Sequence, residues 1–251
     1  MPALERFAIQ KNQLETLVRE ALRNAGTYCD LFFENTSIWS LMLKDGEVTS
    51  GGYHRDYGCG IRVLDGEKTG YAYSESTDMT SLLSAAKAAS VIGGTNHPTK
   101  GFNKINIHTT NNFYPMKKDL REESPSELVK LLQELDKIIR SADSRVFKVI
   151  ASLSYSVSEI MMYNSLDELT EDLRPLCSLN VSVVFKQGDD LQTKSASKSL
   201  RMGAEFYQES LLKELSGQIT SGIDAMFEAR RPRGGQMNVV MSAGASGILL
   251  H

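Results

Sequence analysis

The side chains best suited to bind a metal or attack a carbonyl in this 251-residue chain are four histidines and three cysteines, and their spacing limits what they can do. Cys29, Cys59 and Cys177 are odd in number, far apart and form no CxxC pair, so they build neither a disulfide framework nor a zinc knuckle. They read as small apolar strand residues, with nothing nearby to lower a thiol pKa. His54 falls in a strand, His97 in a connector and His108 in a short strand, none with a carboxylate or thiolate at metal-ligand spacing, so surface or hydrogen-bonded histidines are expected. His251 is different. It follows a "MNVVMS" strand, an "AGASG" turn and the apolar "ILL", a sequence that would carry its imidazole into a sheltered site, although a lone histidine there is by default a satisfied core residue.

Other groups are weaker candidates. Asp45, Glu47, Asp56, Asp65 and Glu67 gather around hairpin turns, where carboxylates stabilise turn geometry. Lys194, just before "SASKSLRMGAEFY", and Lys198 and Arg201 within it could meet a carboxylate, with a hairpin end as the equal alternative. "GCG" at residues 58–60 lacks the third glycine and the helix of a dinucleotide loop, and "SAGASG" has no lysine for a phosphate loop and misses the GxSxG spacing. These glycines fit tight turns or close backbone approach.

The elements that must position these groups follow from periodicity. Leu14, Leu17, Val18, Ala21, Leu22 and Ala25 predict a first helix, with Asn12 and Glu15 as a capping box and Gly26 as its stop. "YCDLFFE", "WSLML", "EVTSGGYHR", "GIRVL" and "TGYAYS" predict antiparallel strands turned at Asp45-Gly46 and Asp65-Gly66. "DMTSLLSAAKAASVIGG" returns to helical spacing. Residues 95–123 read as a polar connector in which only "KINIH" is strand-like. Ser124-Pro125-Ser126-Glu127 predicts an N-cap, a proline at the first helical position and a capping-box glutamate. Strands "VFKVIASLSY", "SEIMMYN", "LCSLNVSVVFK" and "DLQTKSAS" come next, with a turn in "KQGDD", then a long helix striped by Leu212, Leu215, Ile219, Ile223 and Met226. The expected class is α+β: two helix–antiparallel sheet–helix units, 1–94 and 124–251, joined by the connector 95–123 and related as a structural duplication.

Composition narrows the function classes. With 28 Lys+Arg against 31 Asp+Glu the net charge is −3, which attracts neither a phosphate backbone nor an anionic membrane, so nucleic acid is not an expected partner. No signal peptide or membrane span is legible, and a cytoplasmic location is the default.

Read together, "DGEVTSGGYHRDYGCGIRVLDGEKTGYAYS", "SLLSAAKAA", "ASLSYSVSEIMMYN", "DLRPLCSLNVSVV" and "GGQMNVVMSAGASGILLH" resemble, in order, the first half of a TldD/PmbA family member. The resemblance implies a metallopeptidase subunit in which the segment matching "GILLH" continues into an HExxxH motif. There the two histidines bind zinc, the glutamate is the general base on a metal-bound water, and a cysteine from a C-terminal domain is a third ligand. Only His251 carries over. Residues five apart sit roughly 140° apart around an ideal helix, so the resemblance also implies a distorted helix at that motif. Further implications are peptide or unfolded-protein substrates, a TldE/PmbA-like subunit or a second copy as partner, and no catalysis by these 251 residues alone. A non-catalytic peptide-binding or assembly module is the alternative. The family has also carried the label "modulator of DNA gyrase". Two departures stand out: "SASKSLRMGAEFY" where relatives are glycine-rich, and "NSLDELTED" without the usual turn glycine.

Overall fold

Stretches that first read as two strands each, such as "YCDLFFE" with "WSLML", are used as single long strands. A computed structural model describes residues 3–24, 26–92, 106–109, 113–230 and 234–251. Helices α1 (Ala3–Arg6) and α2 (Lys11–Ala21) lead into β1 (Tyr28–Lys44), β2 (Glu47–Asp65) and β3 (Lys68–Ser74), then α3 (Met79–Ala89). A short β4 (Asn106–Thr109) precedes α4 (Pro125–Ala142), β5 (Val146–Asn164), β6 (Glu168–Gln187), β7 (Asp190–Leu200), α5 (Glu209–Thr220), α6 (Ile223–Glu228) and α7 (Ala245–Leu250). His97 and Gly93-Gly94 lie outside the described residues.

The strands form one seven-stranded sheet, ordered β3-β2-β1-β5-β6, with β4 and β7 both on the outer side of β6. The strands of both expected units therefore share one sheet. Two antiparallel meanders, β1-β2-β3 and β5-β6-β7, meet where β1 pairs antiparallel with β5, in a register running from Asp30↔Asn164 to Lys44↔Ile150. Apart from β4, the order within the sheet is thus symmetric about the β1/β5 pair.

Each meander carries its own helices, and both helix layers lie on the same face. Leu31 and Phe33 pair with Tyr163 and Met161, while Leu41 and Leu43 pair with Leu153 and Ala151. All are odd-numbered, so the pleat puts them on one side. At one end α1, α2 and α3 bury Phe7, Leu14, Leu17 and Leu82 on Leu31, Phe33, Ile61, Val63 and Tyr163. At the other, Leu132, Leu135, Leu212, Leu215 and Ile219 of α4 and α5 pack on Val149, Leu153, Leu179, Val183 and Phe185. Each such aliphatic side chain contributes about 2 kcal/mol by leaving water.

Turns follow the sequence closely. Asp45 (φ 51) and Gly46 (φ 84) both take left-handed backbone, the two-residue hairpin solution. Gly66 and Gly188 serve the other predicted turns. Asp167 (φ 62) supplies left-handed backbone at the β5–β6 turn, and the Tyr163 hydroxyl donates to its Oδ1 at 2.9 Å.

Several expectations need correction. The first helix starts at Lys11, and it is Gln13 that reaches back to the Gln10 N–H at 2.7 Å, not Glu15 to Asn12. At α4, Ser124 caps with its carbonyl alone, because its hydroxyl meets Ser126 and Glu127 pairs with Lys130 at 2.7 Å. The long closing helix is broken: Gly222 (φ 69) ends α5 and starts α6, and the Lys194 ammonium binds the freed Ser221 carbonyl. Finally, "MNVVMS" is not a strand. No described strand pairs with residues 237–242, Val240 is 97% exposed, and strand propensity without a neighbouring edge leaves the backbone solvated.

Candidate functional site

Four expected groups find structural roles. Burial, with the Asp30 charge second, pushes the Cys29 thiol up to about 12; burial, with Glu205 second, does the same to Cys177. Burial also raises Cys59. Thiols raised in this way stay protonated at neutral pH, which argues against a nucleophilic role. Lys198 pairs with Glu214 at 2.6 Å, and the Arg201 guanidinium lies 5.2 Å from the Tyr114 ring centre. Among the hairpin carboxylates, Asp45 accepts from Val149 N–H (2.9 Å) and from Arg140 (2.6 Å), tying the β1–β2 turn to β5 and α4.

His251 ends α7, and its expected shelter is absent. It is exposed, and Ile248, Leu249 and Leu250 before it are 83%, 70% and 86% exposed. Gly244 (φ 106) stands at the N-cap of that helix, so "AGASG" starts a helix instead of closing a turn. Among the described residues no group of three or more His, Cys, Asp or Glu side chains could hold a metal ion. A zinc site does not fit the residues present, since one exposed imidazole leaves at least two protein ligands to be supplied from elsewhere.

Polar chemistry gathers instead at two places on the sheet. On the helix-covered face, between the two apolar clusters, Glu159 is 7% exposed. Its carboxylate accepts from Asn35 Nδ2 (2.7 Å) and Arg121 (2.9 Å), with Arg6 Nε at 3.3 Å. Arg121 also grips Asp119, and its hydrogen bonds hold that carboxyl below the usual range. Nearby, Glu205 accepts from the backbone N–H groups of Lys117, Lys118 and Gly203. Burial raises its pKa, but these donors outweigh burial and hold it low. Both carboxylates anchor the end of the connector, and both are structural.

The second place is the helix-free face. Even-numbered residues of β1 and β5 pave it in cross-strand rows: Gly52, Ser40, Ser154, Ser178 and Ser199 form one, and Asp56, Thr36, Ser158 and Arg174 another. The Thr36 hydroxyl donates to Glu34 at 2.5 Å, and the Ser158 hydroxyl lies 2.8 Å from it. At the β3 end, a cavity of about 610 Å³ opens, lined in part by Glu34, His54, Asp56, Gly60, Tyr71 and Tyr73. His54 Nε2 lies 2.7 Å from Asp56 Oδ1. His54 is thus the exposed, hydrogen-bonded histidine expected, and Asp56 reaches it because residues two apart in a strand share a face. Gly60 is the cavity's floor, and a Cβ there would come within 2.7 Å of the Tyr71 hydroxyl. The arrangement suits recognition of an extended chain: a polar, hydroxyl-lined surface with one aromatic and acidic recess.

Comparison with known proteins agrees with this architecture. Residues 29–92 match the family model "PmbA/TldA metallopeptidase domain 1", and residues 118–221 match "PmbA/TldA metallopeptidase central domain". A metalloprotease TldD homolog of Haemophilus influenzae is 31% identical over 237 residues, covering 89% of this chain and 48% of its own length. A metalloprotease of Archaeoglobus fulgidus is 26% identical, with 87% and 48% covered. The chain thus spans about half the length of the curated relatives it matches. Among solved structures, a Thermotoga maritima protein described as a modulator of a DNA gyrase superposes with TM-score 0.69 at 14% identity, over 90% of this chain and 50% of that one. TldE from Thermococcus kodakarensis gives 0.62 at 15% identity, over 82% and 47%.

Proposed function

Because the chain belongs to the TldD/PmbA family, we propose that it is the N-terminal portion of a TldD-like zinc metallopeptidase acting on peptides or unfolded proteins. In this reading residues 1–94 and 124–251 are two related units joined by the connector 95–123. The helix-free sheet face meets the peptide, and His251 is one metal ligand, the others belonging to chain beyond it. These 251 residues alone do not turn over substrate. The observation that carries the reading is the ordered match to the first and central domains of a metallopeptidase family. A TldE/PmbA-like subunit, or a second copy, would complete the assembly. We place it in the cytoplasm, where Cys29, Cys59 and Cys177 would remain reduced.

Reading the coding sequence past His251 tests this directly. A continuing frame with Glu next, a second histidine in the HExxxH spacing and a later cysteine is the expected result; a stop codon after His251 would sink it. A second reading, a non-catalytic peptide-binding or assembly module, is favoured by the exposed, solitary position of His251. The stop codon is the outcome that selects it.

A further inference from the structure

On the side where the helices pack, the sheet is left open along the middle of β2. Val48, Gly51, Tyr53 and Arg55 pair with Leu43, Leu41, Trp39 and Ser37, so their side chains share the helix-covered face. Leu43 is fully buried there, yet Val48 is 49% and Tyr53 57% exposed. The helices stop on either side of this gap. Phe7, just after α1, lays its ring 5.9 Å from that of Tyr57, and α4 meets β1 and β2 at the hairpin tip, where Gln133 donates to the Gly46 carbonyl at 3.2 Å.

Aromatic rings form the floor. Trp39 stacks on Tyr155 at 4.8 Å and meets Tyr53 at 4.9 Å, so the rings step outward from a buried tyrosine to an open one. Arg55 stands at one flank. Its guanidinium lies 4.8 Å from the Tyr57 ring centre and its Nε donates to Asn35 at 2.7 Å, which together fix the fork. Its terminal nitrogens have no hydrogen-bond partner among the described residues.

Carboxylates border the opposite flank. Arg121 is held by Glu159 of β5, and Leu128 of α4 packs in the cluster that contains Tyr155, so Glu122 and Glu123 lie along β5 between those points. Burial pushes the Tyr155 hydroxyl up to about 12, and the charge of Glu123 is the next cause. Neither Glu122 nor Glu123 makes a side-chain hydrogen bond or ion pair among the described residues.

Trp, Tyr and Arg are the side chains that dominate interface energies. An open arginine on one flank and open carboxylates on the other are also self-complementary about a two-fold axis, since each contact is then made twice. We propose that this strip is a contact between two copies of the chain. Arg55 of each copy meets Glu122 and Glu123 of the other across the Tyr53 rings, through side chains and without strand pairing. The bare strip measures about 25 Å by 10 Å, which places the dimer among weak, reversible ones. The inference rests on the second-copy partner proposed above and gives it a surface.

The experiment is sedimentation equilibrium of the 251-residue chain over a concentration series, with the emission of Trp39, the sole tryptophan, read on the same samples. A reversible dimer should form, with Trp39 emission shifting to the blue as it does. Arg55→Glu alone, and Glu122→Arg/Glu123→Arg alone, should each weaken it about tenfold or more. An equimolar mixture of the two should recover the parental affinity, because each copy then offers the charge the other needs. Tyr53→Ser, which leaves the Arg55–Asn35 bond in place, should weaken the dimer as well, and native circular dichroism is required of every variant. A chain that stays monomeric throughout would overturn the proposal. So would a dimer that none of these variants weakens, which would place the contact elsewhere, or a charge-swapped mixture that fails to recover affinity. The metallopeptidase reading is decided separately, by the frame beyond His251.

Discussion

Removing the Glu159 carboxylate would leave Arg6 and Arg121 facing each other between two apolar clusters. Arginine keeps its charge at any accessible pH, so the cost falls on the folded state. Glu159→Ala should destabilise the chain by about 3 kcal/mol in urea titration, and Glu159→Gln by less, because its side-chain oxygen still accepts from Asn35. An unchanged midpoint for the alanine variant would deny the cluster its role. Asp78 makes a second residue-scale prediction. Hydrogen bonds from Ser76 and then Ser81 lower its pKa to about 2 from 3.8. A folded value below the unfolded one means the contribution is fully present above pH 4 and is lost as pH falls toward 2. Asp78→Asn keeps a cap but removes that ionisation, so its urea midpoint should fall less steeply between those pH values than the parent's. Neither Glu159 nor the recess at His54 was legible beforehand. Glu159 gathers Asn35, Arg6 and Arg121 from three distant segments, and linear spacing carries no signal for such a set. His54 and Asp56 did carry one, their separation of two in a strand.

At the scale of elements, one residue decides which face β2 presents. The register shifts from Leu43↔Val48 to Met42↔Ser50, leaving Thr49 unmatched as a bulge, with its hydroxyl bonded to the Met42 carbonyl at 3.3 Å. Without that extra residue the pleat would invert from Ser50 onward, sending His54 and Asp56 under the helices and Cys59, Ile61 and Val63 into solvent. Deleting Thr49 should therefore abolish the cooperative urea transition, whereas Thr49→Ser should preserve it. A deletion variant with parental stability would show that the bulge can move without cost. Hairpins were legible because Asp45-Gly46, Asp65-Gly66 and "KQGDD" have turn chemistry that few other conformations satisfy. The bulge was not, since nothing in "EVTSGGYHR" distinguishes a matched residue from an unmatched one. The break between α5 and α6 escaped for a related reason: the apolar stripe runs on through Gly222, and the left-handed backbone that stops the helix there, with Lys194 on the freed carbonyl, leaves no mark in that spacing.

For the molecule as a whole, the repeated order helix, strands, helix was visible in the sequence, but the merging of two meanders into one sheet was not. Antiparallel β1–β5 pairing depends on polar strand centres, Asn35 to Ser37 against Val157 to Glu159, and these read as strand ends when only apolar runs are counted. That merged sheet gives the protein one continuous helix-free face, long enough to hold an extended chain, with its most distinctive recess near β3. The terminal segment went the opposite way: apolar residues suggested shelter, and the structure leaves them exposed, so the metal-binding role proposed for His251 needs ligands that no cluster among the described residues supplies. The most direct measurement is the zinc content of the complete protein read through its gene, purified with and without His251→Ala and assayed for peptide hydrolysis. The account predicts stoichiometric zinc and chelator-sensitive cleavage in the parent, with both lost in the variant. Full zinc occupancy and unchanged cleavage in His251→Ala would contradict it.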